Sequence, residues 1–370
     1  MRQKQIVLLA AGLLAVAAAR ADFPAFPICS DPAAQQEPSV NGSLVVWSDY
    51  RNGNWDIYGC DLSTGTEFPI CVHGAEQSRP AVSGQTVVWR DYRNGNWDVY
   101  GATIDLSDPA HITVAEMPIL TGPDSQVCSG IHLNRIAVEL HRVGEMDGEY
   151  MAYDLDSGVL VESTDDYDQG RVAISGDLLI WEDWRNDPGD GSDVDVYGYD
   201  LVHRREFVVC ADGIKPRQPD VLANLAAWAD HREKLWHIYI ALVDTSDPNI
   251  ISVHVSPLGS GKSWGGMHLP RVGQEVVVTF VEGDPDKDSL YGFELLSGGA
   301  FPISRGSATD GGHDISGDLV VWTDTRSGNP DIYGAIIPEP TALALAAAGG
   351  PVLVLRRRRR GRASRPAPDA

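Results

Sequence analysis

Fifteen residues dominate this chain: Val45-Val46-Trp47-Ser48-Asp49-Tyr50-Arg51-Asn52-Gly53-Asn54-Trp55-Asp56-Ile57-Tyr58-Gly59 return almost letter for letter at Val87 to Gly101, 42 positions later. Looser copies stand at Leu179 to Gly198, Ala226 to Ile240 and Val320 to Gly334. A chain built this way folds as an array of like units, because one unit of that size cannot hide both faces of its apolar strand and must cover it with the next.

Each unit divides into four short strands. The first is exemplified by Pro80-Ala81-Val82-Ser83, followed by a Gly84 turn; the second is an unbroken apolar run, Thr86-Val87-Val88-Trp89, suited to burial on both faces. The third, Asp98-Val99-Tyr100-Gly101, sets a glycine where a neighbouring chain can approach closely, and the fourth follows a Ser-Thr-Gly or Asp-Ser-Gly turn. Four-stranded units at a step in the forties predict an all-β propeller, one blade per unit. Aligned on the tryptophan, seven copies appear at Trp47, Trp89, Glu139, Trp181, Trp228, Thr279 and Trp322, the third and sixth without the aromatic. Fourth strands are expected at Phe26–Cys29, Phe68–Cys71, His111–Ala115, Leu160–Ser163, Phe207–Cys210, Ile250–His254 and Phe301–Ser304. The first of these precedes the first full unit, and the last unit, ending at Ile337, has none of its own. The expectation is therefore a seven-bladed ring whose last blade is completed by the N-terminal strand, with six blades as the alternative if a degenerate copy is not a blade.

The pattern Ser-Gly-x-x-Val-Val-Trp-x-Asp-x-Arg-Asn-Gly-Asn-x-Asp-Ile-Tyr resembles the TolB-type propeller repeat over most of residues 26–337. That resemblance implies a fold and hardly an activity, because the repeat serves proteins of many functions.

The two ends read as targeting signals. Residues 1–21 read as an export signal, with Arg2 and Lys4, the apolar run Ile6 to Ala19 and an Ala19-Arg20-Ala21 cleavage site. After the propeller segment 22–337, residues 338–370 run from Pro338-Glu339-Pro340 through the apolar stretch 341–355 to Arg356–Arg360, Arg362 and Arg365. This order resembles the PEP-CTERM sorting signal. The resemblance implies an exosortase-type processing enzyme as partner, transient inner-membrane association of 341–355 as a transmembrane helix, and delivery to the cell surface or extracellular matrix. A plain C-terminal anchor is the alternative. These ends hold ten of the 29 Lys and Arg and two of the 52 Asp and Glu, which leaves residues 22–337 with 19 basic and 50 acidic side chains, a formal charge of −31. Such a surface disfavours nucleic acid.

Cys29, Cys71 and Cys210 close equivalent strands and Cys60 and Cys128 stand elsewhere; recurrence at one slot predicts small packing residues, with a single bridge involving Cys60 and Cys71 left open. The recurring Asp49/Arg51, Asp91/Arg93, Asp183/Arg185, Asp230/Arg232 and Asp324/Arg326 pairs predict turn-fixing ion pairs rather than catalytic acids, because an active site breaks symmetry. Candidate ligand-binding aromatics are Tyr50, Trp55, Tyr92, Trp97, Trp184, Trp236 and Trp264, all expected at one end of the disc, where they could stack on sugar rings or simply cap their own loops. Arg79, Arg171, Arg217, His268, Arg271 and His313 enter the first strands and could gather at the channel mouth for an anionic ligand such as an acidic glycan, or pair with carboxylates. Asp165, Asp166 and Asp168, and Asp187, Asp190, Asp193 and Asp195, read as solvated acidic loops, with Ca²⁺ as the alternative. There is no nucleophile elbow or His-Glu-x-x-His, and Gly259-Ser260-Gly261-Lys262-Ser263 is not a phosphate loop. The expected function is a non-catalytic binding or matrix module without a cofactor, for polysaccharide or a partner protein; the alternative is an extracellular polysaccharide-acting hydrolase or lyase.

Overall fold

The computed structural model describes residues 23–144, 148–163, 167–189, 191, 193–211, 215–231, 236–247, 250–258, 267–273, 277–282, 288–295 and 298–337, with no description of the side chains of 250, 267–270 and 307–311. The described residues belong to one compact unit, Arg20–Ile337. The signals read at both ends lie outside them, as do Trp264, Arg232, Asp165, Asp166, Asp190 and the His268 side chain. Among the described residues there is no helix, and so none long and apolar enough to cross a membrane.

Seven antiparallel four-stranded blades make a β-propeller, numbered here from 1 to 7 along the chain with strands counted outward from the axis. Blade 1 consists of Gln35–Asn41, Leu44–Asp49, Asp56–Asp61 and Thr66–Cys71. The other first strands are Gln77–Ser83, Ser125–His132, Gln169–Ser175, Arg217–Leu222, Met267–Gly273 and the inner part of Gly299–Ser316. That last strand is continuous. Its early residues pair with blade 6 as an outer strand, and its later residues pair with blade 7 as an inner one. Successive first strands touch one another all the way round, blade 7 meeting blade 1, so they surround a central axis.

Phe26–Cys29 pairs antiparallel with Asp331–Ile336, placing Phe26 opposite Gly334. This is the expected clasp, and it supplies blade 7 with its fourth strand. In blades 1, 4 and 6 a phenylalanine of the fourth strand lies over the third-strand glycine: Phe68 over Gly59, Phe207 over Gly198, Phe301 over Gly292. Phe26 over Gly334 repeats the arrangement with a residue from the far end of the sequence.

Register corrects four alignments. Trp47 faces Tyr58 and Trp322 faces Tyr333, and in blade 6 the residue facing Tyr291 is Phe280, stacked on it at 5.9 Å, with Thr279 one place inward. The sixth blade has therefore kept an aromatic at the tryptophan position. In blade 3 Val138 takes that position opposite Met151, and Glu139 corresponds to Ser48. The fourth strand of blade 2 is Thr113–Leu120, in which Met117-Pro118-Ile119-Leu120 matches Phe68-Pro69-Ile70-Cys71. The expected His111–Ala115 lies too early because this hairpin is longer than that of blade 1. The same holds in blade 5, where Ser256 rather than a residue of Ile250–His254 faces the glycine-equivalent Ile240.

The core lies between blades. Trp47, Trp89, Trp181, Trp228 and Trp322 are essentially fully buried, the first four in apolar clusters and Trp322 tilted against Tyr333 at 6.4 Å. All five cysteines are buried free thiols, Cys60 and Cys71 included. The packing role expected of them holds: Arg51 of blade 1 reaches Cys29 Sγ of blade 7 at 3.4 Å, and Arg93 of blade 2 reaches Cys71 Sγ of blade 1 at 3.2 Å.

Candidate functional site at the channel mouth

In blades 1, 2, 4 and 7 the second-to-third-strand loop is fixed by the same buried hub. Asp49, fully buried, accepts from Trp47 Nε1 at 2.9 Å and from Arg51 N, Nε and Nη2 at 2.9, 2.9 and 2.6 Å. The arginine continues to Glu67 at 2.6 Å and lies over the Tyr58 ring at 4.1 Å. Asp91, Asp183 and Asp324 repeat the hub with Arg93, Arg185 and Arg326. Charge-assisted bonds on both carboxylate oxygens occupy these four carboxylates, so their Asp/Arg pairs fix the turns.

The loops so fixed lie at the end of the disc where the blade-to-blade connections also run, because Asn54 Nδ2 bonds the connection carbonyls of His73 and Ala75, and Asn96 bonds those of Gly122 and Asp124. Of the predicted aromatics with described positions, four form two pairs in these loops, and Trp236 pairs with His231. Tyr50 meets Trp55 edge-on at 5.1 Å, Tyr92 meets Trp97 at 5.0 Å, and His231 meets Trp236 at 5.1 Å. Tyr50 and Tyr92 are about two-fifths exposed, while Trp55, Trp97, Trp184 and Trp236 are half-buried over their own loops. Two tryptophans carry a cation: Arg90 lies over Trp97 at 4.4 Å, and Arg217 over Trp184 at 5.2 Å.

Toward the axis, each first strand opens with a wide bulge. Glu37, Arg79, Arg171 and Gln218 occupy it with positive φ of 57°, 52°, 49° and 55°. That left-handed backbone costs a non-glycine residue, and an acceptor offsets part of the cost by holding the bulge N–H. Arg79 N donates to Glu37 Oε2 at 2.9 Å, Arg171 N to Glu139 Oε1 at 2.6 Å, and Gln218 N to Glu182 Oε1 at 2.6 Å. The bulge side chains thereby project at the mouth, with Arg79 53% and Arg171 57% exposed. Their ion contacts are loose, 3.7 Å to Glu37 and 3.4 Å to Glu182.

The other predicted cations with described side chains are more engaged than Arg79 and Arg171, Arg217 standing one residue before the Gln218 bulge and over Trp184. Arg217 is bound to Glu182 at 3.0 Å, His313 is buried with Nε2 3.1 Å from Thr279 Oγ1, and Arg271 lies deeper in the channel. Burial pushes the Glu182 carboxyl above the usual range despite the opposing Gln218 amide and its two arginines. Between Arg79 and Arg171 stands blade 3, whose first strand has Cys128-Ser129 where blades 1 and 2 have Glu37-Pro38 and Arg79-Pro80. The ring is thus open between two projecting guanidiniums.

Of the described residues in the acidic loops, Asp187 and Asp168 hold backbone turns. Asp187 accepts from the amides of Gly189, Gly191 and Asp193 at 3.0 Å each, and Asp168 from Gly148 N at 2.8 Å. Among the described residues, no three His, Cys, Asp or Glu side chains converge as metal ligands.

Comparison with known proteins places the chain at the level of fold. No family model matches it. Over 40 residues, close to one repeat, it is 52% identical to the type VI secretion system spike proteins VgrG1a and VgrG1b of Pseudomonas aeruginosa, a stretch that is 11% of this chain. The chain thus spans only 6% and 5% of those curated relatives. Among solved structures, an oligogalacturonate lyase in complex with manganese superposes with a TM-score of 0.61 at 13% identity, covering 85% of this chain and 93% of that one. The propeller domain of the Trilobed protease from Pyrococcus furiosus, described as having an open velcro topology, gives 0.59 at 13% identity over 82% and 95%. A puromycin-hydrolyzing peptidase of Mycobacterium tuberculosis gives 0.55 at 15% identity over 82% and 54%. Identities this low define the class alone: a seven-bladed β-propeller, here with its ring clasped by Phe26–Cys29.

Proposed function

We propose that this chain is an exported, surface-sorted propeller that binds an acidic polysaccharide at the channel mouth without transforming it. The observation that carries the reading is the pair Arg79 and Arg171, more than half exposed on either side of the small-residue first strand of blade 3, in a segment whose formal charge is −31. Cations kept projecting from strained bulges in so acidic a surface favour an anionic ligand. Trp97 and Trp184, in the same two blades, offer ring faces against which a sugar can lie. An acidic saccharide is also named for one structural neighbour, the oligogalacturonate lyase.

The test is calorimetric titration of the purified protein with trigalacturonate. Binding is expected, weakened about tenfold or more in an Arg79→Gln/Arg171→Gln double variant, since hydrogen bonds to charged groups contribute roughly 1.5–3 kcal/mol each. Undiminished affinity in that variant would refute the proposed site. For the address, intact mass of the protein recovered from the cell surface should lack residues beyond the Pro338-Glu339-Pro340 region; retention of Leu355 and the arginines rejects exosortase-type processing.

A second reading, a polysaccharide-acting enzyme, draws on Asp220 and Asp314, two channel carboxyls raised above the usual range by burial. Their oxygens are engaged by interblade amides, which argues for a structural task. Cleavage of the same trimer on prolonged incubation would establish the enzyme instead.

A further inference from the structure

One level of the channel departs from the repeat more sharply than the mouth does. The residue that follows each first-strand bulge and pairs with the position before the tryptophan slot is Ser39, Ala81, Gly130, Ala173, Asp220, Arg271 and Asp314 in blades 1 to 7. Four consecutive blades carry side chains of at most two heavy atoms there, and three consecutive blades carry charges. A β-carbon added at Gly130 would meet nothing within 4 Å, so the bare side is open space.

On the charged side the acceptors are committed. Asp220 Oδ2 takes the Val272 amide of the next blade at 2.8 Å. Asp314 takes Ile315 N on Oδ1 at 2.8 Å, and Val40 N and Ser39 Oγ on Oδ2 at 2.8 and 2.9 Å. The donors are not. Arg271 Nε reaches His313 O at 3.3 Å, and among the described residues its terminal nitrogens find only Asp220 Oδ1 at 3.7 Å, with the side chain 42% exposed. A guanidinium whose outer edge is open inside a channel calls for a planar, two-oxygen acceptor.

We infer that Arg271 receives the carboxylate of a terminal uronate that enters the channel from the mouth and occupies the bare half-ring of Ser39, Ala81, Gly130 and Ala173. The inference rests on the acidic-glycan reading above and adds to it a second contact below Arg79 and Arg171. The ligand then lies along the axis, with mouth arginines on its later residues and Arg271 on its first. The charged groups facing Arg271 are Asp220 from blade 5 and His313 and Asp314 from blade 7.

The test uses the whole protein with trigalacturonate and its fully methyl-esterified form, followed by calorimetry. Wild-type protein should bind the acid and not the ester. Arg271→Gln should weaken binding of the acid on the order of tenfold or more, and Gly130→Asp, which fills the bare side with a negative charge and leaves Arg271 in place, should do the same. Should Arg271→Gln fail to fold, Gly130→Asp decides. If both variants bind like wild type while Arg79→Gln/Arg171→Gln does not, the ligand stops at the mouth, and this inference falls while the proposed function stands. If wild-type protein binds neither trimer, the proposed function falls and takes the inference with it.

Discussion

At the scale of single residues, the strongest constraint is the buried aspartate that ends the second strand in blades 1, 2, 4, 5 and 7. Asp91 holds Trp89 Nε1 and Arg93 together with no exposed surface of its own. Asp91→Ala strands a partly buried guanidinium and an indole N–H, and should destabilise the protein by roughly 3–5 kcal/mol in urea denaturation, the cost of breaking a buried pair. Glu116→Ala removes only the solvent-side arm of the same arginine, and should cost under about 1 kcal/mol. The Asp/Arg spacing was readable as structural from its recurrence alone. The slot occupants of blades 3 and 6 were not. Thr279 and Phe280 are both compatible with an apolar run, and only strand register, set by Tyr291 across the ladder, decides between them.

Elements obey a second rule, that a strand edge must be covered. Phe26–Cys29 caps Asp331–Ile336, so removal of residues 23–29 should expose that edge and the Gly334 face on which Phe26 sits. The truncated protein should elute as higher oligomers in size-exclusion chromatography and melt earlier; a monomer of unchanged melting temperature would contradict the clasp. The close approach of fourth strand to third is testable at Gly198, where a β-carbon would stand 2.4 Å from the Phe207 ring and 3.0 Å from Leu179 O. Gly198→Ala should cost roughly 1–3 kcal/mol as an overpacking change. The clasp was legible because counting fourth strands left one over at the start and one missing at the end. Their places in blades 2 and 5 were obscured by longer hairpins, although Glu116-Met117-Pro118-Ile119 does echo Glu67-Phe68-Pro69-Ile70.

Across the whole molecule, the ring is held at its centre by side chains that accept amides from the following blade: Ser83 from Leu133, Ser175 from Ala223, Asp220 from Val272, Asp314 from Val40. Sequence patterning finds the sheets that make the ring but not the channel, because residues that meet there are one repeat apart and only the packing of successive first strands sets Asp220, Arg271 and Asp314 side by side. Two of these amide acceptors are carboxyls raised above 3.8 chiefly by desolvation, against the pull of Arg271. For a carboxyl raised in the folded state, the native protein binds the proton more tightly than the unfolded chain does. Its stabilising contribution is complete below the unfolded value of 3.8 and is lost as pH rises through the higher folded value. Asp314→Asn keeps a carbonyl oxygen for Val40 N and Ser39 Oγ and cannot ionise, so it escapes that loss. The difference in melting temperature between this variant and wild type should therefore shift in favour of the variant as pH is raised from 4 to 8, whatever its sign at pH 4. A gap that stays constant, or moves toward wild type, would mean that Asp314 is ionised without penalty in the folded ring, and that the amides of blade 1 outweigh its burial.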